Sequence, residues 1–269
     1  MIFLSLRHEF QHVGKFHAQY GITQLDSYRD SSSETKRYLV FHRIDFSPGR
    51  ALRVGFSEVV LFGGPARNLE LFYLNPWIIY YPYQWNRGKI ETDNFIWTFY
   101  GKITSGKTAF YGTLLVDDYQ LVPPPDSEPN HIGLSLLLES ADPPLLKNCY
   151  LLISYQAMTR WALTYKNQWE RFVYQRFPIL HPVGPDFDQI NLSIVWHKSS
   201  DLDLLLKIEK VRKGEGDLWS PWPEGVFPEE NFLSGIIEKR VKIEAGARLF
   251  KKYIIGGTSL FEFNLGVLH

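Results

Sequence analysis

Cysteine is almost missing from this chain. Cys149 is the only one, so no internal disulfide can form and no cysteine-built metal cage can exist; at an apolar strand position it reads as a small hydrophobe. No run approaches the ~20 apolar residues a membrane-crossing helix needs. The opening MIFLSLRHEF also lacks the basic region, long apolar stretch and small-residue cleavage site of a signal peptide. Net charge is absent too: 29 Lys plus Arg balance 29 Asp plus Glu, leaving no global field to draw in nucleic acid or an anionic surface. A polyanion therefore has to be held by a local cluster. The 8 histidines show no short metal-ligand spacing, and no nucleophile elbow or phosphate loop occurs. GGPAR at 63–67 reads as a turn carrying an arginine. No cofactor and no metal site are expected.

What the chain has in abundance is aromatic residues and alternation. Phe, Trp and Tyr make up 16% of it, which suits a sandwich core or the interfacial girdles of a membrane barrel. Period-two alternation, which sends successive side chains to opposite faces of a strand, recurs from end to end. Ile237, Val241, Ile243, Ala245 and Leu249 alternate with Glu238, Arg240, Lys242, Glu244 and Arg248; Phe261, Phe263, Leu265 and Val267 alternate with Glu262, Asn264 and Gly266. Strands are expected at 2–10, 15–26, 37–46, 50–57, 94–103, 107–118, 131–139, 148–160, 189–197, 202–212, 236–249 and 258–268. Most approach the ~9–11 residues with which a tilted strand crosses a hydrocarbon layer. No helix of any length is expected.

The connections alternate in length. Short ones fall at 11–14, 47–49, 104–106, 141–147 and 198–201; long ones fall at 27–36, 58–93, 119–130, 161–188 and 213–235. Outer-membrane barrels keep this two-sided pattern, with short periplasmic turns and long outer loops. The fold class expected is thus all-β, an antiparallel up-and-down transmembrane β-barrel, with residues 1–269 as one partial barrel domain. On that orientation strand 258–268 runs outward. At least one returning strand and further strands in front are expected to be absent, so the sheet by itself is expected to be open or falsely closed.

Between the strands lie GFSEVVLFGG (55–64), ELFYLNPW (70–77), the Asp93-Asn94 pair, YGTLLVDDYQ (111–120), MTRWALTY (158–165) and LHPVGPDFD (180–188). As an ordered set, over roughly residues 37–250, these strings resemble the Wzi-type capsule assembly proteins. The resemblance implies an outer-membrane barrel of about eighteen strands, about twelve of them present here. It implies a non-enzymatic protein that binds capsular or other surface polysaccharide and helps fix it to the cell. Outer-membrane lipid and the barrel insertion machinery are the other implied partners; nucleic acid is not, and a monomer is expected. The family's periplasmic helical front part and its terminal aromatic have no counterpart in the sequence.

The motif residues gather at the outer rim in this reading. Glu58 ends an outward strand, Asp93 and Asn94 begin an inward one, Asp117 and Asp118 end the next, and Arg160 with Trp161 end another. Loop 161–188 adds Arg171, His181 and Asp186, and loop 58–93 is expected to fold into the lumen with Arg67, Asn75 and Trp77. Carboxylates, amides, guanidinium groups and Trp faces bind sugars through hydroxyls and ring faces, and arginines suit an acidic glycan. The competing structural explanation is that such groups satisfy one another and pin plug loops. Trp219 and Trp222 read as interfacial or loop-packing residues. A porin-like channel, suggested by the charged stripe on 238–248, is the alternative function; an outer-membrane hydrolase using Asp117 or Asp118 ranks last, because neighbours on one strand point to opposite faces.

Overall fold

The structure, a computed structural model, describes residues 1–11, 13–29, 34–82, 93–119, 129–220, 223, 231–253 and 257–268, with the side chains of Arg29, Asp118 and 251–268 excepted. Its strands are β1 (Ile2–Phe10), β2 (Gly14–Gln24), β3 (Tyr28–Arg29), β4 (Glu34–Ser47), β5 (Leu52–Gly64), β6 (Asn94–Ser105), β7 (Thr108–Asp118), β8 (His131–Ala141), β9 (Cys149–Met158), β10 (Val173–Tyr174), β11 (Phe177–Pro178), β12 (Phe187–Ser199), β13 (Leu202–Lys213), β14 (Glu238–Tyr253) and β15 (Gly257–Leu268). Short 3-10 turns occupy Leu71–Leu74 and Gln168–Glu170. Each segment expected as a strand is one.

The chain is all-β. Its long strands pair antiparallel, each with its neighbour, in the order β1-β2-β4-β5-β6-β7-β8-β9-β12-β13-β14-β15, while β3 pairs with β4 and β10 pairs with β11. Up-and-down order puts the short connections 11–13, 48–51, 106–107, 142–148 and 200–201 at one end of the sheet. The long connections 25–33, 65–93, 119–130, 159–186 and 214–237 lie at the other. Among the described residues β1 pairs only with β2, and β15 only with β14.

Directly opposed residues share a face, so rows can be followed across the sheet. One row runs through Leu6, Ala18, Ile44, Phe56, Phe99, Leu114 and Leu134; another runs through Leu138, Ile153, Leu192, Ile208 and Ile243. The alternate rows include Arg7, His17, Asp45, Gly55, Tyr100, Thr113, Ser135 and Gln156, and farther along Ser154, Asn191, Glu209 and Lys242. One face is therefore apolar and the other polar. The apolar face is bare over much of its width: Ile44 is 45% exposed, Phe99 45%, Leu114 41%, Ile153 40% and Ile190 50%.

At the loop end of β4, β5 and β6 the alternation fades, because both faces are covered. Val60 and Leu61 are neighbours in sequence and both are wholly buried. Val40, Val60, Phe62 and Phe95 pack on the apolar face beneath Tyr73 and Tyr80 of loop 65–82. Leu61 and Ile96 pack on the polar face beneath Ala162, Leu163, Phe172 and Leu218. A strand buried on two sides reads as a continuous apolar run, which is why VVLF ended the alternation in sequence and why β5 continues to Gly64. Glu58 consequently lies within β5, not at its end.

Phe62 and Phe110 project from the same face, but Phe62 is wholly buried, stacked between Tyr38 at 5.3 Å and Tyr73 at 4.3 Å, and Phe110 is 43% exposed. Phe62→Ala is expected to destabilise the protein by about 3–5 kcal/mol. Phe110→Ala is expected to cost far less, and thermal unfolding of the two purified variants measures the difference.

Candidate functional site

The residues singled out in sequence do stand at the loop end, but the sheet divides them. Glu58 is on the apolar face, opposite His42 on β4 and Trp97 on β6. It is wholly buried. Its Oε2 accepts the backbone N–H of Tyr80 at 2.8 Å and lies 2.9 Å from His42 Nε2. Its Oε1 accepts the backbone N–H of Tyr81 at 3.1 Å and the indole N–H of Trp97 at 3.0 Å. A carboxylate offers roughly four acceptor positions, and here all are taken. A carboxylate on the apolar face thus fixes two amides of loop 65–82, and the loop lies where its anchor lies. From sequence, loop 58–93 is expected to fold into a barrel lumen; residues 65–82 instead lie over the apolar face.

Arg67 and Asp93 complete the hold on that loop. The Arg67 guanidinium grips the Asp93 carboxylate with two nitrogens, reaches Glu70 Oε1 at 2.7 Å and covers the Phe62 ring at 5.1 Å. The Tyr73 hydroxyl also donates to Asp93, and burial together with that carboxylate holds the phenol well above its usual pKa. Asn75 is exposed; its Oδ1 accepts the Trp77 backbone N–H at 3.0 Å, and its carbonyl accepts the Tyr80 hydroxyl at 2.8 Å.

The remaining residues serve the loops on the polar face. Asn94 donates to the carbonyls of Thr164 at 3.3 Å and Glu170 at 3.0 Å. Asp117 accepts the Leu163 N–H at 2.6 Å, and Leu163 has a φ of 68°, a left-handed backbone that a leucine rarely adopts without such support. Asp186 accepts the N–H of Gly216 at 2.8 Å and of Ser234 at 3.1 Å, with the Ser234 hydroxyl at 2.6 Å. Gly214 is required for this approach, since a Cβ there would fall 2.2 Å from the Asp186 carboxylate. The Arg160 guanidinium lies 4.8 Å over the ring of Trp161, which is 4% exposed. His181 stacks on Phe187 at 4.3 Å, accepts the Val183 N–H at Nδ1 and meets Gln156 at 3.4 Å; burial pushes its pKa down. The side chain of Asp118, like Trp222, lies outside the described residues.

Sequence reasoning missed three residues of equal weight. Arg37, 2% exposed, donates to the carbonyls of Trp169 at 2.7 Å, Arg171 at 2.7 Å and Val173 at 3.0 Å, and pairs with Asp26 at 3.2 Å. His42 stacks on Tyr80 at 4.9 Å beside Glu58. Glu170, 1% exposed, accepts from Asn167 at 2.8 Å; burial raises its pKa to about 8, with nearby Asp93 adding to the rise. The available signal was polar type within apolar runs: Arg37 before YLVF, and His42 and Glu58 in slots of the apolar face.

Chemically, most of these groups hold loop backbone. Among the described residues no group of three or more His, Cys, Asp or Glu is placed to hold a metal ion. Among the described residues at the loop end, exposed aromatic and polar side chains include Asn75 and Trp77, and, beyond the residues singled out in sequence, the β10–β11 hairpin tip of Tyr174, Gln175, Arg176 and Phe177, together with Trp219.

Glu58→Gln places an amide donor where only donors point. It is expected to cost about 2–4 kcal/mol and to open loop 65–82 to hydrogen exchange at Tyr80 and Tyr81 while β8–β13 stay protected. For Glu170 the folded pKa exceeds the ordinary 4.5, so the native state keeps a proton that the unfolded chain has lost. Its contribution to stability therefore falls as pH rises from about 4.5 to about 8 and is level above that. The Tm advantage of Glu170→Gln over wild type is expected to grow across that window and then plateau. Comparison of the chain with protein-family models finds no match, and comparison with curated proteins finds none.

Proposed function

We propose that this chain forms the wall of a bacterial outer-membrane β-barrel that holds surface polysaccharide without converting it. The observation that carries the reading is the bare apolar face shared by β6, β7, β8, β9 and β12, backed by a face of Ser135, Gln156, Asn191 and Glu209. Water does not tolerate an apolar surface of that extent, whereas lipid requires it. Strands of 10–16 residues from β4 onward, counting only the long ones, and the segregation of long loops to one end agree with a membrane span. Among the described residues β1 and β15 each have one unpaired edge, and in hydrocarbon those edges must be met by each other or by further strands, because unpaired amides there cost several kcal/mol each.

Polysaccharide enters through the resemblance of the motif set to Wzi-type capsule assembly proteins. With Glu58 and Asp186 committed to loop backbone and Arg67 to the Asp93 and Glu70 carboxylates, the sugar contacts fall to the outward aromatic and polar groups, Trp219 and the 174–177 hairpin tip. Loop 159–186 lies over the polar face at the loop end, which favours a closed barrel over a porin.

Reconstitution into vesicles carrying brominated acyl chains tests the membrane reading. Tryptophan fluorescence is expected to be quenched, with Trp196, 43% exposed on the apolar face, contributing. A chain that stays soluble without detergent and shows no quenching sinks the barrel. For the glycan, Arg176→Ala combined with Trp219→Ala is expected to weaken polysaccharide binding at least tenfold with the fold intact; unchanged binding removes that part of the reading. A stable ion-selective current in a planar bilayer would favour the porin instead.

A further inference from the structure

Far from the loops, at the short-turn end of the polar face, β1, β2, β4 and β5 enclose a cleft of about 660 Å³. Its walls carry four basic side chains, Arg7, Lys15, Arg43 and Arg53, against two carboxylates, Glu9 and Asp45. Both carboxylates are already answered. Arg43 grips Asp45 with Nε and Nη2, each at 3.0 Å, Tyr100 donates to it at 2.8 Å, and His17 stands 3.6 Å away. Glu9 pairs with Lys15 at 3.3 Å. Arg7 and Arg53 are left with no ion-pair partner among the described residues; Arg7 Nε meets His17 Nε2 at 3.4 Å and Arg53 Nε meets the Ser47 hydroxyl at 3.4 Å.

One wall is rigid by construction. The Tyr100 ring lies across Gly55, where a Cβ would come within 2.2 Å of it, and the Arg43 guanidinium covers that ring at 4.5 Å. The Tyr100-Asp45-Arg43 unit thereby spends its own charge internally and leaves the surplus on the two arginines flanking the cleft.

We infer that this cleft binds a small oxyanion-bearing solute, its carboxylate or phosphate group taken by Arg7 and Arg53. Planar guanidinium groups present paired N–H donors that match either oxyanion. The inference rests on the charge placement alone and stands whether or not the apolar face meets lipid. It also names the local cluster that a chain of zero net charge needs in order to hold an anion.

Isothermal titration of the purified full chain at low ionic strength, with glucuronate, inorganic phosphate and neutral glucose as probes, tests it. Binding of glucuronate, phosphate or both, with none of glucose, is expected. Arg7→Gln combined with Arg53→Gln should raise Kd at least tenfold, while Arg50→Gln, in the adjacent short turn, should leave it unchanged. Circular dichroism confirms that the sheet is retained. The inference is overturned if neither anion binds, if the double variant binds as well as wild type, or if Arg50→Gln weakens binding equally, which would mark diffuse surface charge. Glucuronate binding without phosphate binding identifies carboxylate as the preferred group, and the reverse identifies phosphate.

Discussion

Long loops carry backbone amides that strands do not satisfy, and in this protein buried carboxylates take them up. Glu58 accepts two from loop 65–82, Asp117 accepts one from loop 159–186, and Asp186 accepts two from the 214–237 connection. Leaving a buried amide unmade costs about 1–3 kcal/mol, so each carboxylate determines where its loop can lie. Arg37 and Asn94 do the reverse job for carbonyls. The two-sided covering of β4, β5 and β6 follows: Glu58 holds one loop on the apolar face, Asn94 and Arg37 hold another on the polar face, and the apolar residues between them are enclosed from both directions.

The strands were legible because half-buried strands advertise themselves. Wherever one face is bare or polar, as along β8, β12 and β14, alternation marks the element and the loops fall between. Legibility failed where that condition failed. In VVLFGG both faces are buried, alternation stops, and the strand was expected to end at 57 although it reaches 64. The same breakdown hid the side to which loop 65–82 turns. Parity did contain the answer, since Glu58 is two residues from Phe56 and two from Val60, all on one face, but a carboxylate on an apolar face is read naturally as an end of the strand.

The motif residues share the loop end of the sheet. Their work was harder to foresee, because Asp, Arg and Asn have the same sequence signature whether they meet a ligand or a neighbouring amide. Only the filled acceptor positions of Glu58, and the fit of Gly214 against Asp186, separate the two. Conversely, the basic cleft at the short-turn end was invisible as a motif. Arg7, Lys15, Arg43 and Arg53 come from four strands and meet only through the register.

β1 is exposed along its whole length, with Leu4 and Leu6 on one face and Arg7 and Glu9 on the other. Its outer edge is thus a selective template. A strand that docks there in the correct register lays apolar beside apolar and polar beside polar; a slip of one residue would set its greasy side chains among Arg7 and Glu9 and its polar ones beside Leu4 and Leu6. Discrimination between a proper neighbour and an accidental one is therefore written into the edge itself, before any contact beyond the first strand is made.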